Sequence, residues 1–247
     1  MTNRAETVKA ALDGDIILAI ETGIAAGSIS LWINERETDF WIGEGGVSKS
    51  EDVLEAIREI LRKNNLEIES IDLLAVSSGP GSFTGLRIGA ALAKGLSKAF
   101  DCDIKTAPLL EAMIVNADKN TVENTVENHI LVVAVPFGKT QICWQLFETD
   151  SKNTGQNLQT GKPSIICREE FALKFENLKA RRLILHNSLY EEFAAAEILS
   201  PDKAKIIVNA GCNLAGYIGE VFVKTRKQNG REEIRNLPIT LNYVNIF

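Results

Sequence analysis

The sequence predicts an α/β protein made of two domains, on the strength of three observations. Short apolar runs typical of buried strands alternate with segments that repeat apolar residues at helical spacing. The same alternation occurs twice, more weakly in the second half. A polar stretch with a local TVEN repeat, residues 118–128, separates the halves. We therefore expect a duplicated architecture with domains at 15–117 and 118–205, preceded by an N-terminal extension at 1–14.

Three predicted strands open the first half. Residues 15–22 (DIILAIET) form the continuous apolar run expected of a buried strand, and Gly23 and Gly27 suit the turn that follows. Shorter runs at 28–33 and 38–42 continue the pattern. Together they predict a three-stranded meander.

Two helices and a fourth strand follow the meander. Ser50 is a suitable N-cap, acidic residues come after it, and apolar residues then recur at helical spacing until about Asn64. Residues 71–76 (IDLLAV) read as a strand covered on both faces. That strand leads directly into a glycine-rich turn and a second helix at about 84–100.

The second half contains weaker signals of the same kind. The last clear helix is predicted at about 209–224, within a C-terminal segment, 206–247, that we expect to pack back onto the first domain. A polar loop is expected at 149–162. The predicted strands of this half are 130–135, 141–147, 165–167 and 183–185.

Composition limits the classes of function. The chain has 247 residues, 45% of them apolar, and a net charge of -6, which argues against strong binding to nucleic acid by this chain alone. The four cysteines are far apart, which indicates buried thiols rather than a zinc site or a disulfide framework. No run of eighteen apolar residues occurs and no signal peptide is visible in the first fourteen residues. We expect a cytoplasmic protein that does not enter a membrane.

The most specific feature is the glycine-rich segment 77–89, SSGPGSFTGLRIG. A glycine in or beside a helix costs about 0.5–1 kcal/mol relative to alanine, so this segment must need backbone that side chains would obstruct. It matches neither a P-loop nor a GxGxxG dinucleotide fingerprint. The free N–H groups at the start of the next helix instead predict a turn that could hold an anion. The residues of this predicted anion-binding turn are Gly79, Gly81, Ser82, Thr84 and Arg87.

Two features of the second helix leave alternatives open. Arg87 lies in the first turn, where the helix dipole disfavours a cation, so it should have an anionic partner, either in a ligand or in an internal salt bridge. Gly85, Gly89 and Ala93 recur every four residues and leave one flank of the helix bare. That flank could pack tightly on the sheet of its own domain or against a helix of another chain.

The residues give little support for catalysis. His129 and His186 are not spaced as a metal-binding pair, and no metal site is predicted. An actin-like ATPase would need a carboxylate in each domain to hold magnesium; Glu21 could serve the first, but Pro136 occupies the natural place for the second. The hydroxyls of the glycine-rich turn have no nearby base and are interpreted as caps.

Three segments carry a family resemblance: AIETGIAAGSISLW at 19–32, KSEDVLEAI at 49–57 and AVSSGPGSFTGLRIGAALAKGL at 75–96. In order and spacing they resemble the TsaB (YeaZ) family of tRNA threonylcarbamoyladenosine proteins, once labelled glycoprotease-like. The resemblance implies an actin-like or Hsp70-like fold of two ribonuclease-H-like domains, each a mixed sheet flanked by helices. It also implies a non-catalytic scaffold that activates the transferase TsaD in N6-threonylcarbamoylation of adenosine 37 of tRNAs reading ANN codons.

The resemblance further implies partners and a binding surface. The expected partners are homologues of TsaD and of the ATPase TsaE, with a homodimer as a further state and tRNA contacted only through the complex. No cofactor is expected, and ATP or ADP binding is not indicated by this chain. Substitutions such as Gly89→Leu or Ala93→Glu are expected to abolish association without unfolding the monomer. The implied interface residues lie on the two predicted helices: Ser50, Glu51, Leu54 and Ile57 on the first, and Thr84, Gly85, Ile88, Gly89, Leu92 and Ala93 on the second.

The chain departs from the family pattern at several positions. Glu21 stands where the family has aspartate, Lys49 where it has histidine, and Pro136 begins the segment usually written DAR. Asn245 replaces an arginine near the C-terminus. We therefore regard the chain as a divergent member. Two other functions stay open: an actin-like nucleotide-binding enzyme of the small-molecule kinase type, and, more remotely, a peptidase.

Overall fold

The computed structural model describes residues 15–45, 49–115, 130–149, 157–159, 161–177, 180, 182–196 and 206–229. Contacts divide the chain into two units. The first combines the residues up to 112 with those from 213 onward, and the second comprises 113–212. The N-terminal extension, the polar stretch 118–128, His129 and Asn245 lie outside the described residues.

The first unit contains a five-stranded sheet with the order β3-β2-β1-β4-β5. The strand β1 pairs with β2 in antiparallel and with β4 in parallel orientation, so the sheet is mixed. Its strands are β1 (Ile16–Glu21), β2 (Ser28–Ile33), β3 (Arg36–Ile42), β4 (Leu73–Ser77) and β5 (Asp103–Ala107). The helices of this unit are α1 (Ser50–Lys63), α2 (Phe83–Phe100), α3 (Leu109–Val115) and α6 (Leu214–Asn229), and a short 3-10 helix spans Ile68–Ser70.

Apolar residues account for the position of these elements. All six residues of β1 are buried, because α1 and α2 cover one face of the sheet and α6 covers the other. Ile16, Leu18 and Ile20 face α1 and α2 in one hydrophobic cluster. The predicted meander is confirmed by the pairing of β1 with β2 and of β2 with β3. The predicted cap of α1 is wrong by one residue: Lys49 is the N-cap and Ser50 begins the helix.

The last helix, α6, lies on the sheet of the first unit. The Ala215 amide donates to Ser28 Oγ at 2.9 Å, and Gly219 lets the helix backbone approach the ring of Trp32. Near its other end Arg226 pairs with Asp15. The prediction started this helix at residue 209, but Asn209 ends a strand of the second sheet, and its side chain accepts the Gly211 amide in the turn between them.

The second unit repeats the plan with a sheet of order β11-β10-β6-β7-β8, in which β9 also pairs with β7. The strands are β6 (Ile130–Phe137), β7 (Gln141–Thr149), β8 (Asn157–Gln159), β9 (Ser164–Cys167), β10 (Arg182–Leu185) and β11 (Ile206–Asn209). Two helices, α4 (Arg168–Asn177) and α5 (Asn187–Ala195), belong to it. The core of the unit stacks Phe171 between Phe175 and Phe193, with Trp144 edge-on.

Several elements were not predicted. The strand β5 and the helices α3, α4 and α5 had no strong periodic pattern, and β8 lies inside the expected polar loop. The prediction also grouped 206–212 with the last helix. That grouping is wrong, because β11 pairs in parallel with β10 and so belongs to the second sheet.

Candidate functional site

The glycine-rich turn between β4 and α2 packs against the turn that follows β1. Gly81 lies directly on Gly23, where an added Cβ would come within 2.6 Å of the Gly23 Cα atom. The Ser82 amide donates to the Gly23 carbonyl at 2.7 Å. Gly79 has a φ of +97° and accepts the Leu109 amide at 2.7 Å. The turn therefore joins two strands and a helix through backbone contacts that side chains would prevent.

The first turns of α2 approach β1 equally closely. Ser82 is the N-cap, and its Oγ accepts the Gly85 amide at 3.3 Å. A Cβ on Gly85 would collide with the Thr22 carbonyl oxygen, and one on Gly89 would collide with Thr22 Oγ1. That hydroxyl donates to the Gly85 carbonyl at 2.8 Å. The spacing of the glycines thus results from packing within one chain.

This packing corrects part of the predicted interface. Gly85, Gly89 and Ala93 are buried against the chain's own sheet, and Ile57 is buried in the same unit. Of the two alternatives for the bare flank, tight packing on the sheet is the one found. The expectation that Gly89→Leu and Ala93→Glu leave the monomer folded conflicts with this packing, because a Cβ on Gly89 would collide with Thr22 Oγ1 and Ala93 is fully buried.

The other predicted interface residues lie at the surface of α1 and α2. Ser50, Glu51 and Thr84 are exposed. Leu54, Ile88 and Leu92 are half-buried. Two further residues, which sequence reasoning missed, are exposed on the outer side of α2: Ala91 and Gly95, four residues apart, with open space around Gly95. Their spacing was a readable signal of a second small-residue stripe. We call the residues Glu51, Leu54, Thr84, Ile88, Ala91, Leu92 and Gly95 the outer helix face.

Binding of an anion by the glycine-rich turn stays a prediction. The structure shows where the residues assigned to it lie. Gly79, Gly81 and Ser82 use backbone groups for internal contacts. Thr84 and Arg87 are exposed. The Arg87 guanidinium lies 5.2 Å from the centre of the exposed Phe83 ring, a cation–π contact. Among the described residues no salt bridge to Arg87 is formed, so the internal ion pair, one of the two alternatives for its anionic partner, is not found there.

Glu21 is enclosed at the end of β1 and is only 1% exposed. Its Oε1 accepts the amides of Gly23 at 2.6 Å and Ile24 at 3.2 Å. Burial raises the pKa of this carboxyl group to about 8, against the two amide hydrogen bonds, which lower it. With its pKa raised to about 8, the carboxyl group of Glu21 favours the neutral form at pH 7, and it orders the turn through its two amide hydrogen bonds.

Two residues of the second unit that the sequence analysis discussed in relation to catalysis, Pro136 and His186, have structural roles. Pro136 lies in β6 opposite Ile142 of β7. His186 is 4% exposed and caps α5, its Nδ1 accepting the Ser188 amide at 3.2 Å. Burial lowers the pKa of His186 to about 4, so the ring is neutral at physiological pH.

Three basic side chains near the end of α6 are paired with acidic residues. Lys224 pairs with Glu220 at 3.5 Å and Lys227 with Glu35 at 2.7 Å, while Arg226 pairs with Asp15.

Across the described residues, no three His, Cys, Asp or Glu side chains come together as metal ligands. None of the described helices is long and apolar enough to span a bilayer.

A pair of alanine substitutions tests the packing of α2. Gly89→Ala should destabilise the fold by about 1–3 kcal/mol, because the new methyl group meets Thr22. Gly95→Ala, in the same helix but with open space, should stabilise it by about 0.5–1 kcal/mol. Urea unfolding of both variants measures the difference. Equal stability changes would contradict the proposed contact.

The Glu21 carboxyl group should make stability pH-dependent. Its pKa is about 8 in the folded chain and 4.5 as the reference value, so its contribution is complete below pH 4.5 and is lost as pH rises towards 8. The loss is at most about 1.4 kcal/mol per pH unit. Glu21→Gln, which cannot ionise, should therefore gain stability over the native chain between pH 5 and pH 8. A stability difference independent of pH in urea titrations would rule out the buried neutral acid.

Comparison with known proteins agrees with this architecture. The sequence model of the TsaD family, described as tRNA N6-adenosine threonylcarbamoyltransferase, matches residues 47–223. The tRNA threonylcarbamoyladenosine biosynthesis protein TsaB of Buchnera aphidicola (subspecies Acyrthosiphon pisum) is 28% identical over 235 residues, which cover 93% of this chain and 97% of that protein.

Solved structures of low identity share the fold. YeaZ from Pseudomonas aeruginosa matches with a TM-score of 0.58 and 17% identity over 92% of this chain and all of that one. Component A of (R)-2-hydroxyglutaryl-CoA dehydratase from Acidaminococcus fermentans matches with a TM-score of 0.54 and 9% identity, over 88% of this chain and all of that one. The predicted actin-like fold of two mixed-sheet domains is confirmed. The chain therefore belongs to the family of the tRNA N6-adenosine threonylcarbamoyltransferase TsaD, as a TsaB (YeaZ) member of it.

Proposed function

We propose that this chain is a non-catalytic scaffold and activator of a TsaD-type transferase in N6-threonylcarbamoylation of adenosine 37 of tRNAs reading ANN codons. The observation that carries the proposal is the alignment with a TsaB protein along nearly the whole of both chains. A similarity confined to one domain would leave the role of the other domain open. Here both domains are included.

The outer helix face supports a partner-binding role. Leu54, Ile88 and Leu92 are apolar and half-buried at the surface of two adjacent helices. Ala91 and Gly95 leave room beside them for the backbone of another helix to approach. An apolar centre with a polar surround is the usual arrangement of a protein interface.

The side chains at the positions relevant to catalysis support a scaffold rather than an enzyme. Glu21 is enclosed and protonated at neutral pH, so it is not poised to hold a magnesium ion. Pro136 carries no carboxylate, and His186 is used as a helix cap. Because these three residues have structural roles, we expect the partner to contribute the reactive groups.

The remaining partners follow from the same proposal. A TsaE homologue would join through the complex, and tRNA would be contacted only there, since Lys224, Arg226 and Lys227 are already paired with acids.

The isolated chain would also form a homodimer through the outer helix face. The charges support this at the start of α1, where Glu51 is exposed, but not at Glu55, which pairs with Arg58 at 3.5 Å; α2 contains no acidic residue and exposes basic ones.

A matched pair of surface substitutions tests the proposed interface. Ala91→Glu puts a charge in the centre of the outer helix face and should weaken binding to the purified TsaD homologue by about 2 kcal/mol or more, roughly thirtyfold. Ala194→Glu makes the same change at an exposed position of α5 in the other unit and should bind normally. Isothermal titration calorimetry gives both affinities.

The same two variants should differ in function. In a reconstituted tRNA modification reaction, Ala91→Glu should lower the rate at a fixed concentration of the TsaD homologue, and excess of the variant should partly restore it. Native affinity and rate in a folded Ala91→Glu protein would exclude the outer helix face as the binding surface.

A further inference from the structure

We propose that Glu21 is a positioning residue for partner binding: through the turn at 22–24 it holds the N-terminus of α2, and with it the outer helix face, in the binding geometry. The inference rests on the proposed function, since it concerns how that face is kept in place. Glu21 touches no part of the face itself. Its effect has to travel through contacts that the structure shows.

The first link joins the carboxyl group to the turn. Glu21 Oε1 accepts two successive amides, those of Gly23 and Ile24, at 2.6 and 3.2 Å. Both bonds are buried. Because an unpaired buried amide is costly, the turn cannot keep this shape without an acceptor at this position. An uncharged acceptor is sufficient, which fits the raised pKa of the group.

The second link joins the turn to α2. The Gly23 carbonyl accepts the amide of Ser82, the N-cap, at 2.7 Å, and Thr22 Oγ1 donates to the Gly85 carbonyl at 2.8 Å. A Cβ on Gly23 would come within 2.9 Å of the Leu86 side chain and 3.1 Å of the Gly81 Cα atom. Because the turn at 22–24 and the start of α2 are already in close contact, a shift of this turn displaces the start of α2.

The third link joins the start of α2 to the outer helix face. Thr84 lies two residues after the N-cap, and Ile88 lies one turn further along the same side of the helix. Ser82, Thr22 and Glu21 thus support the end of the helix at which the face begins. Weakening this support should lower affinity without altering any residue that contacts the partner.

Three substitutions separate positioning from general stability. Glu21→Leu removes the acceptor and keeps an apolar side chain of similar reach; it should weaken binding to the TsaD homologue about tenfold, within the usual range of coupling between linked sites. Glu21→Gln keeps the acceptor and should bind within about twofold of the native chain. Thr22→Val removes the hydrogen bond from the Thr22 hydroxyl to the Gly85 carbonyl, one of the two bonds of the second link, at nearly constant volume, and should weaken binding about fivefold.

Ser28→Ala is the matched control. Ser28 is the partner of Glu21 in the pairing of β1 with β2, and its Oγ accepts the Ala215 amide of α6. The substitution therefore destabilises the same unit by a route that does not pass through α2. It should lower the urea midpoint while leaving affinity within about twofold of native. Hydrogen exchange should show faster exchange at Gly23, Ile24 and Ser82 in Glu21→Leu, and native exchange there in Ser28→Ala.

The outcomes distinguish this inference from the proposed function. Native affinity of folded Glu21→Leu and Thr22→Val, alongside loss of binding in Ala91→Glu, would overturn the positioning role and leave the interface standing. A Glu21→Gln variant as weak as Glu21→Leu would also overturn it, because the acceptor would not be what matters. If Ala91→Glu binds normally, the interface proposal fails, and unchanged exchange at Ser82 in Glu21→Leu would then overturn the link from the turn to α2. Should Glu21→Leu not fold, Thr22→Val supplies the same test.

Discussion

The contact between two turns, one after β1 and one before α2, determines the arrangement of the first unit. Gly23 and Gly81 meet backbone to backbone, and the Ser82 amide donates to the Gly23 carbonyl. The contact ties the central strand to the helix that covers it and sets how closely they pack. A side chain at either glycine would push the turns apart, so the sequence at these positions is limited by space rather than by chemistry.

The buried side chain of Glu21 supports this contact. Burial determines the protonation state of Glu21 and also that of His186. Glu21 is neutral because a carboxylate would be poorly solvated at the end of β1, even with two amides directed at its Oε1. His186 in the second unit is neutral for the same reason and caps α5. Glu21 and His186 are thus used to hold a turn and a helix end.

The same geometry relates the chain to its family. The segment that carries the resemblance to TsaB proteins contains the glycines of the close packing, and the outer helix face lies on the opposite side of α2. A packed inner side and an accessible outer side suit the scaffold role proposed above, because a partner can bind a helix whose position is already fixed.

The α/β class, the meander of the first unit, the two helices that follow it and the family could all be predicted from the sequence. These features depend on continuous apolar runs and on a glycine motif, which are local signals. Two helices of the second unit, α4 and α5, could not be predicted, because the second core is assembled from aromatic residues such as Trp144, Phe171 and Phe193, which are far apart in the chain. Which side of α2 is buried became clear only from the fold. The spacing of Gly85, Gly89 and Ala93 shows that some backbone comes close, but whether that backbone belongs to β1 or to another protein depends on contacts between residues more than sixty positions apart.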